Sequence, residues 1–195
     1  MTEFFPLSAA EASALSQSAA LAAPPETTGD QFLRLGLAPG TTVLLPLPQL
    51  TEVMTLPISQ IMPMPHMPPW TMGVYNWRGE ILWIVDLGHL CGLPPWYHYP
   101  ASSSCSAVIL NGTDPANPAA KGKPLGLVVH HVEDIEWCTA DLIQPLAGGV
   151  PTLPMLQPFL RGYRQQPEPV PVLDGHAILH TVWQYPHPDA RFASA

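Results

Sequence analysis

Residues 73–87 read Gly73-Val74-Tyr75-Asn76-Trp77-Arg78-Gly79-Glu80-Ile81-Leu82-Trp83-Ile84-Val85-Asp86-Leu87. The segment contains two runs rich in β-branched and aromatic residues, and the polar step Arg78-Gly79 separates them. This pattern predicts a β-hairpin with its turn at that step. We expect Asp86 to begin a short helix that extends to Cys91, because an aspartate side chain accepts the free N–H groups of a first helical turn.

On either side of this hairpin the chain consists of short β-rich runs bounded by Pro and Gly. About ten short strands, with a turn signal every 8–12 residues, are typical of all-β sandwiches and barrels. Besides the hairpin, the predicted strands cover residues 32–37, 41–45, 52–56, 58–62, 105–110, 125–137, 159–163 and 170–173. The strand at 125–137 is expected to bulge near His130-His131, and Asp174 is expected to cap a last helix that reaches Trp183.

The composition excludes several functional classes. Charged residues make up 11% of the 195 residues, against about 25% in an average globular protein. Seven Lys and Arg against fifteen Asp and Glu give a net charge of −8 without a basic cluster, so no nucleic-acid partner is expected. With 26 Pro in the chain, every long apolar run is interrupted, so no direct membrane insertion is expected. Three widely spaced cysteines and the lack of a basic N-terminal start indicate reduced thiols in a cytoplasmic protein.

No catalytic constellation stands out in the sequence. A nucleophile elbow, a P-loop and a dinucleotide-binding glycine motif are all missing, so no catalytic residue and no cofactor are expected. Three sets of side chains have metal-ligand character: His176 with His180, His130-His131 with Glu133, and His89 with Cys91. None supplies three or four ligands locally, so no metal site is expected. A metal-dependent hydrolase that uses His and Cys remains an alternative.

The apolar residues favour a protein-interaction domain instead. Six Trp and seven Met accompany the low charge, and the Met- and Pro-rich residues 62–72 are expected to cross the surface without regular structure. Exposed Met and Trp with few charges are typical of protein contacts. The acidic strip Glu133-Asp134-Glu136 is either a solvated strand face or one half of a charged contact. Free edge strands leave self-association open.

The motifs resemble those of a known family. Residues 73–81 followed by 84–87 are similar to the G-V-x-N-h-R-G-x-h and h-h-D-L core of CheW-like domains, in which h is an apolar residue. Residues 125–135, 139–145, 159–163 and 172–174 continue the resemblance in the same order. It covers residues 31–183, which is most of the chain.

The resemblance implies two SH3-like five-stranded β-barrel subdomains with a few short helices, and no catalysis. It implies an adaptor that couples the cytoplasmic tip of a chemoreceptor of the methyl-accepting type to a CheA-type histidine kinase, in chemotaxis, phototaxis or twitching motility. The receptor hairpin would lie in the groove between the barrels. The alternative is a regulatory module that binds other adaptors or pilus components without a kinase.

The resemblance also assigns roles to single residues. Arg78 is expected to contact the receptor, and its planar guanidinium suits carboxylates and backbone carbonyls. Gly73 and Asn76 are expected to shape the loop that carries Arg78, although Asn76 also fits a purely structural role in the turn. Receptor or kinase contacts are further expected at Glu52, Met54 and Val132.

The expected domain organisation has three parts. Residues 1–30 form an N-terminal tail, or a short helix over 8–21 followed by a linker. Residues 31–184 form the CheW-like domain, with the first barrel over 39–97 and the second over 98–184 together with the strand at 31–38. Residues 185–195 form a C-terminal tail.

Overall fold

The computed structural model describes residues 29–99, 103–112, 122–145, 154–165 and 168–185. In these residues eleven β-strands and two α-helices are joined by loops and short 3-10 turns. The strands are β1 (Asp30–Ala38), β2 (Thr41–Pro46), β3 (Leu50–Pro57), β4 (Thr71–Trp77), β5 (Glu80–Asp86), β6 (Ser104–Leu110), β7 (Leu125–Val129), β8 (His131–Cys138), β9 (Ile143–Gln144), β10 (Leu160–Arg164) and β11 (Val170–Leu173). The helices are α1 (Leu87–Leu90) and α2 (Gly175–Gln184). The helix expected over 8–21 lies outside the described residues.

The strands form two sheets. A six-stranded sheet has the order β8-β1-β2-β11-β10-β9, and a five-stranded sheet has the order β3-β6-β7-β5-β4. The predicted all-β class is therefore confirmed. The first sheet has one strand more than predicted because Ile143 and Gln144 pair with Arg164 and Tyr163. A strand of two residues is too short to leave an alternation pattern in the sequence.

The chain is divided between the sheets differently from the prediction, which placed residues 39–97 in one barrel and 98–184 with 31–38 in the other. In the structure β6 and β7 lie in the five-stranded sheet with β3, β4 and β5, whereas β2 lies between β1 and β11. β5 pairs with β7, and β2 with β11, in parallel. A parallel pair requires a long crossover connection, so its two members are far apart in the sequence and local composition does not identify them.

The single long strand expected over 125–137 is in fact two strands in different sheets. β7 ends at Val129, and the backbone N–H of His130 donates to the carbonyl of Gly36 in β1. From His131 onward the chain pairs with β1 instead of β6. The His131 ring lies over Gly36, where an added Cβ would come within 2.1 Å of it. The expected bulge near His130 is therefore the point at which the chain passes from one sheet to the other.

Strands in the middle of the sheets are buried on both faces. In β5, Leu82 and Ile84 pack inside the five-stranded sheet, whereas Trp83 and Val85 belong to a core shared by both sheets. Leu44 of β2 packs inside the six-stranded sheet. The shared core also contains Leu33, Leu37, Val43 and Leu45 from one sheet and Val108, Leu110, Leu127 and Val129 from the other. Because both faces are covered, these strands are continuous apolar runs without polar alternation.

Both predicted aspartate caps are present. Asp86 is 5% exposed and accepts hydrogen bonds from the backbone N–H groups of His89 at 3.0 Å and Trp96 at 2.7 Å. Burial raises the pKa of the Asp86 carboxyl, and these N–H donors oppose that rise. Asp174 caps α2 through the N–H of His176 at 2.9 Å. Neither helix in the described part of the chain has the length or apolar character needed to cross a bilayer.

One extended segment was predicted wrongly. Residues 58–62 were expected to form a strand, but Ile58–Gln60 is a 3-10 turn, and only Met62 makes an isolated β-bridge, with Val74. The turn begins after Pro57, whose fixed φ suits a helical start.

Candidate functional site

The predicted hairpin is formed by β4 and β5, and its turn has a defined geometry. Arg78 and Gly79 have φ angles of 55° and 86°, as a type I′ turn requires at its two central residues. The side-chain carbonyl of Asn76 accepts a hydrogen bond from the backbone N–H of Gly79 at 3.0 Å. Asn76 therefore shapes the turn, and Arg78 lies at its tip in a conformation that costs a non-glycine residue about 1 kcal/mol.

Three side chains form a cluster at this turn, which we call the Arg78 clasp: Glu52, Trp77 and Arg78. One carboxylate oxygen of Glu52 lies 2.5 Å from Nη2 of Arg78, and the other accepts a hydrogen bond from the indole N–H of Trp77. The Arg78 guanidinium also lies over the Trp77 ring, with Cζ 4.9 Å from the ring centroid. Because β3 and β4 are the outer strands of their sheet, the clasp joins the two edges of that sheet.

The clasp leaves most of the Arg78 side chain accessible. Its exposed fraction is 65%, against 28% for Glu52. An ion pair this exposed contributes only about 0–1 kcal/mol. The guanidinium presents five N–H donors in a planar fork, so a carboxylate from another molecule can bind it at little cost.

Gly73 lies in β4, where the backbone of Met62 passes very close to the strand. It has a φ of 140°, and an added Cβ would lie 2.1 Å from the carbonyl oxygen of Met62. Met62 and Val74 exchange two backbone hydrogen bonds, of 2.8 and 2.9 Å, beside it. Gly73 is therefore required for the close approach of the Met62 backbone, and it does not itself offer a contact surface.

Met54 lies on the same side of β3 as Glu52. It is half-buried and packs against the cluster inside the five-stranded sheet, which also includes Tyr75 and Trp77. Met54 and Trp77 therefore pack against the same buried cluster. Trp77 was not among the predicted site residues, although its position directly before Arg78 in the hairpin motif was visible in the sequence.

Val132 lies apart from the other predicted residues, because it belongs to β8 in the six-stranded sheet. It is half-buried against the shared core, opposite Leu35 of β1. Farther along β8, Ile135 and Trp137 are 49% and 45% exposed. Since β8 is an outer strand, Val132 begins a row of apolar side chains at that edge of the sheet.

The predicted acidic strip is largely paired within the protein. Nε of Arg34 lies 2.6 Å from Glu133, and its Nη1 lies 2.7 Å from Glu136. Glu136 also pairs with Arg164, and Glu133 lies 3.0 Å from Nε2 of His131. Two residues of β8, 133 and 134, face the single Arg34 between the pairs at Leu33 and Leu35. This bulge lets glutamates three positions apart reach the same arginine, which a regular strand does not allow.

This pairing changes two ionisation equilibria. Burial raises the pKa of Glu133, but hydrogen bonds from Arg34 and His131 outweigh it and leave the pKa below the ordinary glutamate value. The hydrogen bond with Glu136 is the main reason why the pKa of Arg34 is raised.

The histidines and cysteines considered as metal ligands or nucleophiles do not form a reactive site in the described residues. No group of three or more His, Cys, Asp and Glu side chains is positioned to hold a metal ion within the residues the structure describes. The three thiols are buried and free. Burial raises the pKa of Cys91 to about 12 and that of Cys105 to about 11, and it also raises the pKa of Cys138. These thiols are therefore protonated at neutral pH and are poor nucleophiles.

Three comparisons with known proteins all identify CheW proteins as similar to this chain. The family model of the CheW-like domain matches residues 31–182. The probable chemotaxis protein CheW of Rhizobium etli is 35% identical over 82 residues, which are 42% of this chain and 46% of that protein, so the match spans about half the length of this relative. The crystal structure of the scaffolding protein TtCheW from Thermoanaerobacter tengcongensis is similar with a TM-score of 0.60 at 19% identity, over 76% of this chain and 91% of that one. This structural likeness concerns the fold.

Proposed function

The chain belongs to the CheW-like domain family, and we therefore propose that it is a non-enzymatic, cytoplasmic adaptor of chemotaxis signalling. In this proposal it joins the cytoplasmic tip of a chemoreceptor to a CheA-type histidine kinase. The names of the two similar proteins, a chemotaxis protein and a scaffolding protein, support such a role. The observation that carries it is the Arg78 clasp, an exposed guanidinium held on a rigid turn without a buried counter-ion.

We assign receptor contact to Arg78. In the free protein its guanidinium pairs with Glu52, and in the complex it would bind an acidic side chain or a backbone carbonyl of the receptor. Because Asn76 and the type I′ turn already hold the backbone, little conformational entropy is lost on binding. Glu52, in this proposal, holds Arg78 in an orientation ready for the exchange, while Gly73 and Met54 keep the hairpin in position.

We assign a second contact to the edge of the six-stranded sheet. Val132, with the exposed Ile135 and Trp137 beyond it, offers an apolar surface, and aromatic residues are frequent anchors of protein interfaces. The ion pairs of Glu133 and Glu136 neutralise the charges between these apolar side chains. We propose that this edge contributes to the receptor or kinase contact expected at Val132, within an interaction domain that covers residues 31–184 between two tails.

The test compares two charge reversals at exposed arginines. Membranes that contain the receptor are sedimented with the wild-type protein, with Arg78→Glu or with Arg161→Glu, and circular dichroism confirms that each variant is folded. We expect Arg78→Glu to lose at least about tenfold in receptor binding, because an attractive charge becomes a repulsive one. Arg161→Glu should bind like the wild type. Normal receptor binding by folded Arg78→Glu contradicts the assignment of Arg78.

A second experiment concerns the kinase. The tagged protein is purified from cells of its native host, and the proteins that accompany it are identified. Recovery of a CheA-type histidine kinase together with a receptor supports the proposal. Recovery of other adaptors or pilus components without a histidine kinase supports the alternative, a regulatory module, and contradicts the coupling role.

A further inference from the structure

The loop that precedes β4 contains soft donor atoms that the proposed partner contacts do not use. It reads Ile61-Met62-Pro63-Met64-Pro65-His66-Met67-Pro68-Pro69-Trp70. Thioether sulfur selects soft metal ions such as Cu(I), and imidazole also binds copper. The loop therefore brings thioethers and an imidazole together within a short segment, and this combination of ligands suits Cu(I).

A tight turn brings two of these thioethers close to each other. Pro65 and His66 are the central residues of the turn, and the φ angle of His66 is 61°, as a type II turn requires at its third position. Such a turn places the Cα atoms of its first and fourth residues, here Met64 and Met67, within about 7 Å of each other. Both side chains are half-buried and pack against the shared core, so they lie on the same side of the loop.

His66 is an unusual residue for its place in the turn. A positive φ is uncommon outside glycine, and a type II turn usually has Gly or Asn at this position. Strained backbone conformations of this kind are frequent at binding sites. The His66 side chain is exposed, so its imidazole is accessible to an ion. Ile61 and Trp70 are buried at the two ends of the loop, and the prolines between them restrict its backbone, which lowers the entropy cost of binding.

The other soft donors of the described residues are less suited to an ion. The three cysteines are buried, and burial raises the pKa of each thiol, whereas metal binding requires the thiolate. Met54 and Met72 pack against the core inside the five-stranded sheet. Met155 is exposed but lies outside the loop. The accessible soft donors are therefore concentrated in the turn.

We propose that this loop binds one Cu(I) ion through the thioethers of Met64 and Met67 and the imidazole of His66. Hard ions such as Mg²⁺ and Ca²⁺ prefer oxygen ligands, which these side chains do not supply. The net charge of −8 favours the approach of a cation. The site contains no residue of the Arg78 clasp, so its test is independent of the proposed receptor contact.

The test uses the intact protein in oxygen-free, reducing buffer with Cu(I) and, as a redox-inert substitute, Ag(I). Competition with the coloured Cu(I) chelator bicinchoninate measures the affinity, and NMR follows the methyl signals of the methionines. We expect one Cu(I) per chain and shifts of the Met64 and Met67 methyl signals that Zn²⁺ does not produce. Circular dichroism checks that the protein stays folded, so that ions bound by thiols of unfolded chains are recognised.

Conservative variants identify the ligands. Met64→Leu and Met67→Leu nearly conserve side-chain volume, so packing should be retained. His66→Asn removes the imidazole and tolerates the positive φ. Each should weaken Cu(I) binding at least about tenfold, because loss of even an outer partner of a metal ligand costs about 10–100-fold. Met155→Leu is the matched control and should bind like the wild type. Unchanged affinity in any of the three folded loop variants, methyl shifts confined to other methionines, or the lack of saturable binding would overturn the proposal.

Discussion

Replacement of Gly73 by alanine should destabilise the protein far more than replacement of another glycine with a positive φ. At Gly73 an alanine Cβ would lie 2.1 Å from the carbonyl oxygen of Met62, and φ is 140°. The backbone strain alone costs about 1–3 kcal/mol. Moving the Met62 backbone away breaks its two hydrogen bonds with Val74, which together contribute about 2 kcal/mol. We therefore expect a loss of about 3–5 kcal/mol in the free energy of unfolding.

Gly40 provides the matched control. Its φ is 75°, and an added Cβ would have no neighbouring atom within 4 Å. Gly40→Ala should therefore cost only the conformational strain, about 1–2 kcal/mol. Urea denaturation followed by circular dichroism measures both variants. With a slope of about 2 kcal/mol per molar urea, the midpoint of Gly73→Ala should lie about 0.5–2 M below that of Gly40→Ala.

The urea midpoints of Gly73→Ala and Gly40→Ala test whether the Met62 backbone lies against Gly73. Equal midpoints for the two variants would show that the Met62 backbone does not pass as close to Gly73 as the structure has it. The role of Gly73 would then be limited to its φ angle. If Gly73→Ala fails to fold while Gly40→Ala folds normally, the result agrees with the upper end of the expected cost.

Three further predictions concern charge and reactivity. A double-mutant cycle of Glu52→Gln and Arg78→Gln should give a coupling of about 0.5 kcal/mol in unfolding free energy, falling towards zero at about 1 M salt; a coupling unaffected by salt contradicts an exposed ion pair. Glu133→Gln should lower stability by about 0.5–1 kcal/mol at pH 7. Since the folded-state pKa of Glu133 is lowered, this contribution is present above the unfolded-state pKa and is lost as the pH falls through the folded-state pKa; denaturation at pH 7 and pH 3 checks it. Cys91 and Cys105 should react with a disulfide reagent at pH 8 only after urea unfolding, because burial raises their pKa to about 12 and about 11; rapid labelling of the native protein would be inconsistent with their burial.

The clasp gives the proposed receptor contact a defined resting state. In the free protein Arg78 is oriented by Glu52 and by the Trp77 ring, so its long side chain loses less rotamer entropy when a partner binds. The partner must displace an exposed ion pair, not a buried one. The arrangement suits a contact that forms and dissociates readily.

Much of the local structure was predictable because its causes lie within a few residues of each other. The β4–β5 hairpin follows from two β-rich runs around Arg78-Gly79, and the starts of α1 and α2 follow from Asp86 and Asp174. The positions of Arg78 and Asn76 in the turn were predictable for the same reason. Their roles in binding came from the family resemblance and remain proposals.

The contacts around Arg78 were not predictable in this way. Glu52 and Trp77 are 25 positions apart in the sequence and meet only because the outer strands β3 and β4 approach each other. The need for a glycine at position 73 was not predictable either, because the backbone that approaches it belongs to Met62, in the loop before β4.

By itself the sequence determined where most strands and both helices begin and end, because these features depend on β-rich runs, turn residues and capping side chains within short segments. Only the tertiary structure decided which strands share a sheet. It separated β7 from β8 at His130 and brought Glu133 and Glu136 to one arginine through a bulge. Strand partners and bulges depend on the packing of side chains that are distant in the sequence. They are therefore determined only when the two sheets pack together and form their shared core.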